Sequence, residues 1–150
     1  MKEKSDNHIY KEHNKTLLLY HLVFPIKYRK KVLTKSVENT LRNTCFEIQE
    51  RREIYFLEIG NDEDHVHFLI QSVPTMCVTK IVQIIKTFTS KIIREKHPEV
   101  KKILWGGALW TSGYYANTVG EYSNKDAISK YIQNQGKNYK KIYHKQPTLF

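Results

Sequence analysis

The sequence predicts an α+β domain whose strands and helices follow the order β-α-β-β-α-β. Three observations lead to this fold class. Short apolar or alternating runs bounded by turn residues are typical of strands. Two longer stretches repeat apolar residues at helical spacing. The length of 150 residues, 40% of them hydrophobic, suits one domain with a core of its own.

The first half of the chain predicts a strand, a helix and a hairpin. Residues 17–24 (LLLYHLVF) form a continuous apolar and aromatic run, which is typical of a central strand. Apolar residues recur at helical spacing over about 35–52. Residues 54–59 and 65–73 are two further strands around a short turn, and we expect them to pair antiparallel. Residues 1–15 are charged and aperiodic, so we expect a frayed leader there.

The second half predicts a helix, a strand, a short helix and a tail. The second long helix ends at His97, where the following proline stops it. Residues 109–119 predict a fourth strand, and a short helix over about 125–135 precedes a basic tail, 137–150. Two long helices on one face of a four-stranded antiparallel sheet give a ferredoxin-like, RRM-like fold. The other sheet face is left open, and function is expected there.

Composition narrows the class of partner. Lysine and arginine number 25 against 15 aspartate and glutamate, a net charge of +10, which favours a polyanion and nucleic acid above all. The apolar content argues against disorder, and no apolar run approaches the ~20 residues that a membrane span needs. Cys45 and Cys77 lack metal-ligand spacing and the polar start is unlike a signal peptide, which together predict a cytoplasmic protein.

A histidine pair on the third predicted strand is the first candidate for chemistry. Side chains alternate along a strand, so Val66 and Phe68 share the core face while His65 and His67 share the open face, their Cα atoms about 7 Å apart. Two imidazoles on one rigid strand can converge on a divalent ion. Two solvated histidines on an exposed strand are the alternative.

The last predicted helix carries a second candidate pair. Tyr131 and Gln135 are i and i+4 and lie on one helical face. Gln135 offers a carbonyl oxygen that suits Mg²⁺ or Mn²⁺, and Tyr131 offers a hydroxyl that could be delivered near that ion. Packing of an amphipathic helix is the alternative for this pair.

These motifs together resemble a known family. HVH at 65–67 resembles the histidine-hydrophobic-histidine (HUH) motif, and YIQNQ at 131–135 resembles the catalytic helix of single-tyrosine HUH transposases, the TnpA type of small insertion sequences. YHLVFPIKYR at 20–29, IVQIIKTFTS at 81–90 and LWTSGYYANTVG at 109–120 are similar to further segments of that family, in the same order.

The resemblance implies an activity and a role for each site residue. Such enzymes cut and rejoin single-stranded DNA at the ends of a mobile element, near imperfect hairpins. Tyr131 would be the nucleophile that forms a 5′-phosphotyrosine, and His65, His67 and Gln135 would hold Mg²⁺ or Mn²⁺. Family members work as homodimers, and the sequence leaves open whether the catalytic helix acts in cis or in trans.

Basic residues outside these motifs are candidates for DNA contact. They lie after the first predicted strand, on the second long helix and in the tail, where Tyr139 could also stack on unpaired bases. A solvated surface is the alternative in each case. The candidates are Lys27, Arg29, Lys30, Lys86, Lys137, Lys140 and Lys141.

Two residues near the histidine strand, His21 and Asp64, are interpreted as structural residues. His21 lies on the first predicted strand, which should neighbour the third, so an approach to the histidine pair is one alternative; we interpret it as a packed histidine. Asp64 could orient a ligand histidine, but its position beside the turn favours a turn role.

Two other functions stay open at this point. A rolling-circle initiator or relaxase would share the chemistry, although such proteins are usually larger. A non-catalytic module that binds single-stranded nucleic acid would also use an open sheet face, but with stacking aromatics at the positions of His65 and His67. Dependence on a metal separates the enzymes from the module.

Overall fold

The computed structural model describes residues 7–105, 107–120 and 139–145. A five-stranded antiparallel sheet in the order β6-β3-β5-β4-β7 carries two long helices on one face. The elements are β1 (Ile9–Tyr10), β2 (Lys15–Thr16), β3 (Leu18–Pro25), α1 (Lys35–Arg51), β4 (Tyr55–Asp62), β5 (His65–Ser72), α2 (Val78–Lys96), α3 (Pro98–Ile103), β6 (Tyr115–Val119) and β7 (Tyr139–His144). This architecture confirms the predicted α+β, ferredoxin-like class. The predicted helix 125–135 lies outside the described residues.

The fifth strand comes from the expected basic tail. β7 pairs antiparallel with β4 at the sheet edge. Besides its lysines, β7 contributes apolar side chains, because Ile142 and Tyr143 pack against the main core. The Tyr143 ring meets the Phe46 ring edge-on, with centroids 4.8 Å apart. The predicted four-stranded sheet therefore lacked one strand, β7.

Two local expectations were wrong, whereas the end of α2 at His97 is as expected. Part of the expected leader forms a hairpin, with Ile9 opposite Thr16 across β1 and β2. Residues 109–114 are not strand; one isolated bridge from Trp110 to Ile26 precedes β6. Pro98 does more than stop α2, because it also occupies the first turn of α3, where its missing N–H costs nothing.

The core lies between the helices and one face of the sheet. Leu41 of α1, Ile85 of α2 and Phe68 of β5 are fully buried in it. α1 begins at a cap in which Thr34 Oγ1 accepts a hydrogen bond from the Val37 backbone N–H at 3.3 Å. No helix within the described ranges is both long and apolar enough to cross a membrane.

A β-bulge at Leu57 sets which side chains of β4 face away from the helices. Phe56 pairs with Ile70 and Glu58 with Leu69, so Leu57 is the extra residue on this strand. Beyond the bulge the alternation resumes, with Ile59 in the helix-side core. Gly60 and Asp62 consequently face the open side, opposite His67 and His65 of β5.

Candidate metal centre on the open sheet face

Two histidines and one aspartate converge at one end of the sheet. His65 and His67 lie on the face opposite the helices, as the alternation along β5 predicts, while Val66 and Phe68 are in the core. One ligand atom from each of Asp62, His65 and His67 lies within 4.8 Å of the other two. Two imidazole nitrogens and a carboxylate oxygen are a donor set that can hold a divalent metal ion. Asp62 was not among the predicted ligands.

The environment of His67 fits the role of a ligand. Its Nε2 atom is buried, and no group in the described part of the chain forms a hydrogen bond with it. Burial, with the nearby His21 and His65 adding to it, lowers the pKa of His67 to about 3, so the ring is neutral near pH 7. An unsatisfied buried nitrogen costs about 1–3 kcal/mol. A metal ion at Nε2 would remove this cost.

His65 is oriented by an acidic neighbour. Its Nδ1 atom lies 2.8 Å from Asp64 Oδ1, and the Arg29 Nε–H donates to Asp64 Oδ2 at 2.9 Å. Partial burial alone would raise the pKa of Asp64, but the hydrogen bonds from Arg29 and His65 outweigh it and hold that pKa below its usual value. With Nδ1 engaged, His65 Nε2 faces Asp62 Oδ2 at 3.3 Å. Asp64 therefore lies in the turn, as expected, and also has a position from which it orients His65.

His21 is buried, as expected of a packed histidine, but it also has a specific contact. Its Nε2 atom lies 3.0 Å from His67 Nδ1, and the two rings are nearly parallel, at an angle of 12°. His65 and His67 thus both have their Nδ1 atoms in contact with a neighbouring side chain. Their Nε2 atoms are left for a shared ligand.

A second cluster lies beside the metal centre. The Tyr139 hydroxyl donates to Glu58 Oε2 at 2.5 Å, and His144 Nδ1 lies 2.8 Å from Glu58 Oε1. The Tyr139 ring meets the His67 ring edge-on, with centroids 5.6 Å apart, and lies over Gly60. Burial, the hydrogen bond to Glu58 and its charge raise the pKa of Tyr139 far above its usual value. An isolated acid in the apolar run of β4 was the one sequence signal for this cluster.

The predicted DNA-contacting residues fall into different environments. Lys27, Arg29 and Lys30 follow Pro25, which pairs with His65, so they lie at the metal end of the sheet. Lys140 and Lys141 lie on β7 and are exposed; the Lys141 ammonium is 3.9 Å from Glu58.

Lys86 is held by hydrogen bonds to the backbone. Its ammonium donates to the carbonyl oxygens of Thr111 and Gly113 at 2.8 and 2.9 Å, and burial lowers its pKa. It thus fixes the segment before β6. Tyr131, Gln135 and Lys137 lie outside the described residues.

Sequence comparisons identify relatives along most of the chain. The family described as "Transposase IS200 like" matches residues 14–135. The ISDra2 transposase TnpA of Deinococcus radiodurans is 31% identical over 118 residues, which cover 79% of this chain and 84% of the relative. The transposase for insertion sequence element IS200 of Salmonella typhimurium is 31% identical over 120 residues, 77% of this chain and 75% of the relative.

Solved structures share the fold. A crystal structure of a Deinococcus radiodurans R1 protein assigned to the transposases has a TM-score of 0.64 and 27% identity, covering 90% of this chain and 98% of that one. A REP-associated tyrosine transposase bound to a REP hairpin has a TM-score of 0.53 and 11% identity, covering 88% of this chain and 68% of that one. The chain belongs to the IS200-like family of transposases.

Proposed function

We propose that this transposase cleaves and rejoins single-stranded DNA at the ends of an insertion sequence, through a 5′-phosphotyrosine, in a reaction that depends on Mg²⁺ or Mn²⁺. The observation that carries the proposal is the convergence of Asp62, His65 and His67 on the open face, with His67 Nε2 buried and without a hydrogen-bond partner among the described residues. A non-catalytic binding module does not require such a donor set.

The metal ligands of the proposal come from two parts of the chain. His65 and His67 through Nε2 and Asp62 through its carboxylate would hold the ion, with Gln135 as a further oxygen ligand. When bound, the ion would act as a Lewis acid toward the scissile phosphate. Gln135 precedes Tyr139 by four residues, which span at most about 14 Å of extended backbone. Because Tyr139 pairs with Asp62, that length allows Gln135 to reach the site within the same subunit.

The nucleophile of the proposal is Tyr131. Its hydroxyl oxygen attacks the DNA phosphorus, the bond from phosphorus to the 3′ oxygen breaks, and the proton of the phenol is balanced by protonation of the departing 3′ oxygen. The DNA 5′ end then stays on the tyrosine, and a 3′-hydroxyl that attacks this phosphotyrosine rejoins the strands. Ionising a phenol of pKa near 10 at pH 7 costs about 4 kcal/mol, which the site must offset.

Tyr139 is the described tyrosine closest to the metal centre, and its environment argues against it as the nucleophile. The hydroxyl is hydrogen-bonded to Glu58, and the raised pKa keeps it protonated. A negative carboxylate beside the oxygen opposes formation of a phenolate. This supports Tyr131 for the role.

The substrate is proposed from charge and from a structural neighbour. Exposed basic residues lie on both sides of the β4–β5 hairpin, with Lys30 in the turn that follows β3 and with Lys140 and Lys141 on the edge strand β7. Phosphates of a single strand could contact both sides of the metal centre. A tyrosine transposase of the same fold binds a hairpin, and we propose hairpin-bearing DNA and a homodimer for this chain.

The proposal is tested by cleavage of labelled single strands from the DNA that flanks the gene. Wild-type protein with Mn²⁺ should cut one strand at a hairpin-proximal position, and chelator should abolish cutting. His65→Ala should lose cleavage while keeping its thermal unfolding temperature within a few degrees. Binding without cleavage on both strands and with both metals would refute the enzyme and favour the binding module.

A further inference from the structure

We propose that His21 is a positioning residue: it fixes the ring orientation and the tautomer of His67, so that His67 presents an unprotonated Nε2 to the metal centre. The inference deepens the proposed function and rests on it for the identity of the ligand. His21 itself would not touch the ion, because its Nε2 atom is already directed at His67.

The sheet register brings the two rings together. His21 pairs with Leu69 and His67 pairs with Val23, so the two histidines are diagonal neighbours on the open face. Their side-chain nitrogens, His21 Nε2 and His67 Nδ1, are 3.0 Å apart, and the rings meet edge to edge with centroids at 5.3 Å and an interplanar angle of 12°. The exposed fractions of 2% and 3% leave little room for either ring to turn.

The proposed ligand role of His67 assigns the proton between the two rings. A hydrogen bond between two imidazole nitrogens needs one N–H and one lone pair. If His67 carried its proton at Nε2, that atom would have no lone pair to offer a metal. A proton at Nδ1, donated to His21 Nε2, leaves the Nε2 lone pair of His67 for a metal.

Asn117 supports the required state of His21. It lies directly opposite His21 across the β3–β6 ladder, with its side chain beside the imidazole. With Nε2 accepting from His67, His21 carries its proton at Nδ1, a state that the amide oxygen of Asn117 can stabilise. The order Asn117, His21, His67 thus runs across three neighbouring strands to the metal centre.

The two ligand histidines have different partners. His65 donates to Asp64, an anion that is itself held by Arg29. His67 has a neutral partner in His21 instead. Such second partners of metal-bound histidines typically change metal affinity or activity by about 10- to 100-fold when removed.

Two variants of His21 separate positioning from packing. His21→Gln keeps an oxygen that can accept from His67 Nδ1, whereas His21→Leu has a similar size and no acceptor. Mn²⁺ binding to the full chain is measured by titration calorimetry, with circular dichroism and thermal unfolding as checks of the fold. We expect His21→Leu to bind Mn²⁺ about 10- to 100-fold more weakly than wild type, and His21→Gln to recover most of that loss. Equal Mn²⁺ affinity in His21→Leu and wild type would overturn the proposal.

A second measurement needs neither a variant nor an ion. Nitrogen-15 NMR of the histidine side chains in the metal-free wild type reports which nitrogen of His67 carries the proton. We expect it at Nδ1; a proton at Nε2 would overturn the proposal even if His21→Leu fails to fold. The two proposals fail differently, since absence of Mn²⁺ binding in the wild type refutes the metal centre, whereas the tautomer decides the role of His21.

Discussion

The lowered pKa of His67 makes folding stability depend on pH in a way that can be calculated. The pKa is about 3 in the folded chain and 6.5 when unperturbed. Between these values the unfolded chain binds a proton that the folded chain does not. Stability therefore rises with pH over this window and is lost as pH falls below about 6.5.

The loss of folding stability at pH 5.0 follows from the unperturbed pKa of histidine alone. Between pH 6.5 and pH 5.0 each unit costs 1.36 kcal/mol, which gives about 2 kcal/mol from His67. This result holds as long as the folded pKa lies well below 5. It corresponds to a fall in unfolding temperature of about 4–8 °C for a chain of this size.

The assay compares wild type with His67→Gln by urea unfolding at pH 7.5 and pH 5.0, with chelator present so that metal contributes nothing. Wild type should lose about 2 kcal/mol more than the variant between the two conditions. His21 is present in both proteins, so its own contribution to the pH dependence is common to both. Equal losses would refute a neutral, buried His67 and with it the argument for an available Nε2.

Three further predictions follow from contacts around the site. Gly60→Ala should destabilise the fold by about 1–3 kcal/mol in urea unfolding, because its Cβ would lie 2.0 Å from the Tyr139 hydroxyl oxygen; in a Tyr139→Ala background the cost should largely vanish, and an undiminished cost would contradict the clash. Asp64→Asn should weaken Mn²⁺ binding about 10-fold or more in calorimetry, and unchanged binding would remove Asp64 from its orienting role. Lys86→Met should cost about 1–3 kcal/mol through two lost hydrogen bonds; unchanged stability would leave Lys86 available for DNA.

The alternation of β5 was predictable because it depends on local periodicity. Val66 and Phe68 had to enter the core, so His65 and His67 had to lie on the other face. Asp62 was not predictable in the same way. It faces the histidines because the bulge at Leu57 shifts the phase of β4, and a bulge depends on pairing with another strand.

The fifth strand and the buried polar network were missed for a related reason. The residues of β7 appear basic and solvated in sequence, and their burial depends on the free edge of β4 and on Glu58. The contact between His21 and His67 joins residues 46 positions apart, and only strand order brings them together. Long-range pairing, not propensity, decided these features.

The central claim is tested most directly by mapping the covalent protein–DNA adduct. Wild-type protein is incubated with single-stranded flanking DNA and Mn²⁺, the adduct is isolated by denaturing electrophoresis, and the tryptic peptide that carries DNA is identified by mass spectrometry. Cleavage after lysine separates the two nearby tyrosines, Tyr131 in residues 131–137 and Tyr139 in residues 138–140. The account predicts DNA on residues 131–137 and no adduct with Tyr131→Phe. DNA on residues 138–140, or an adduct that persists in Tyr131→Phe, would contradict it.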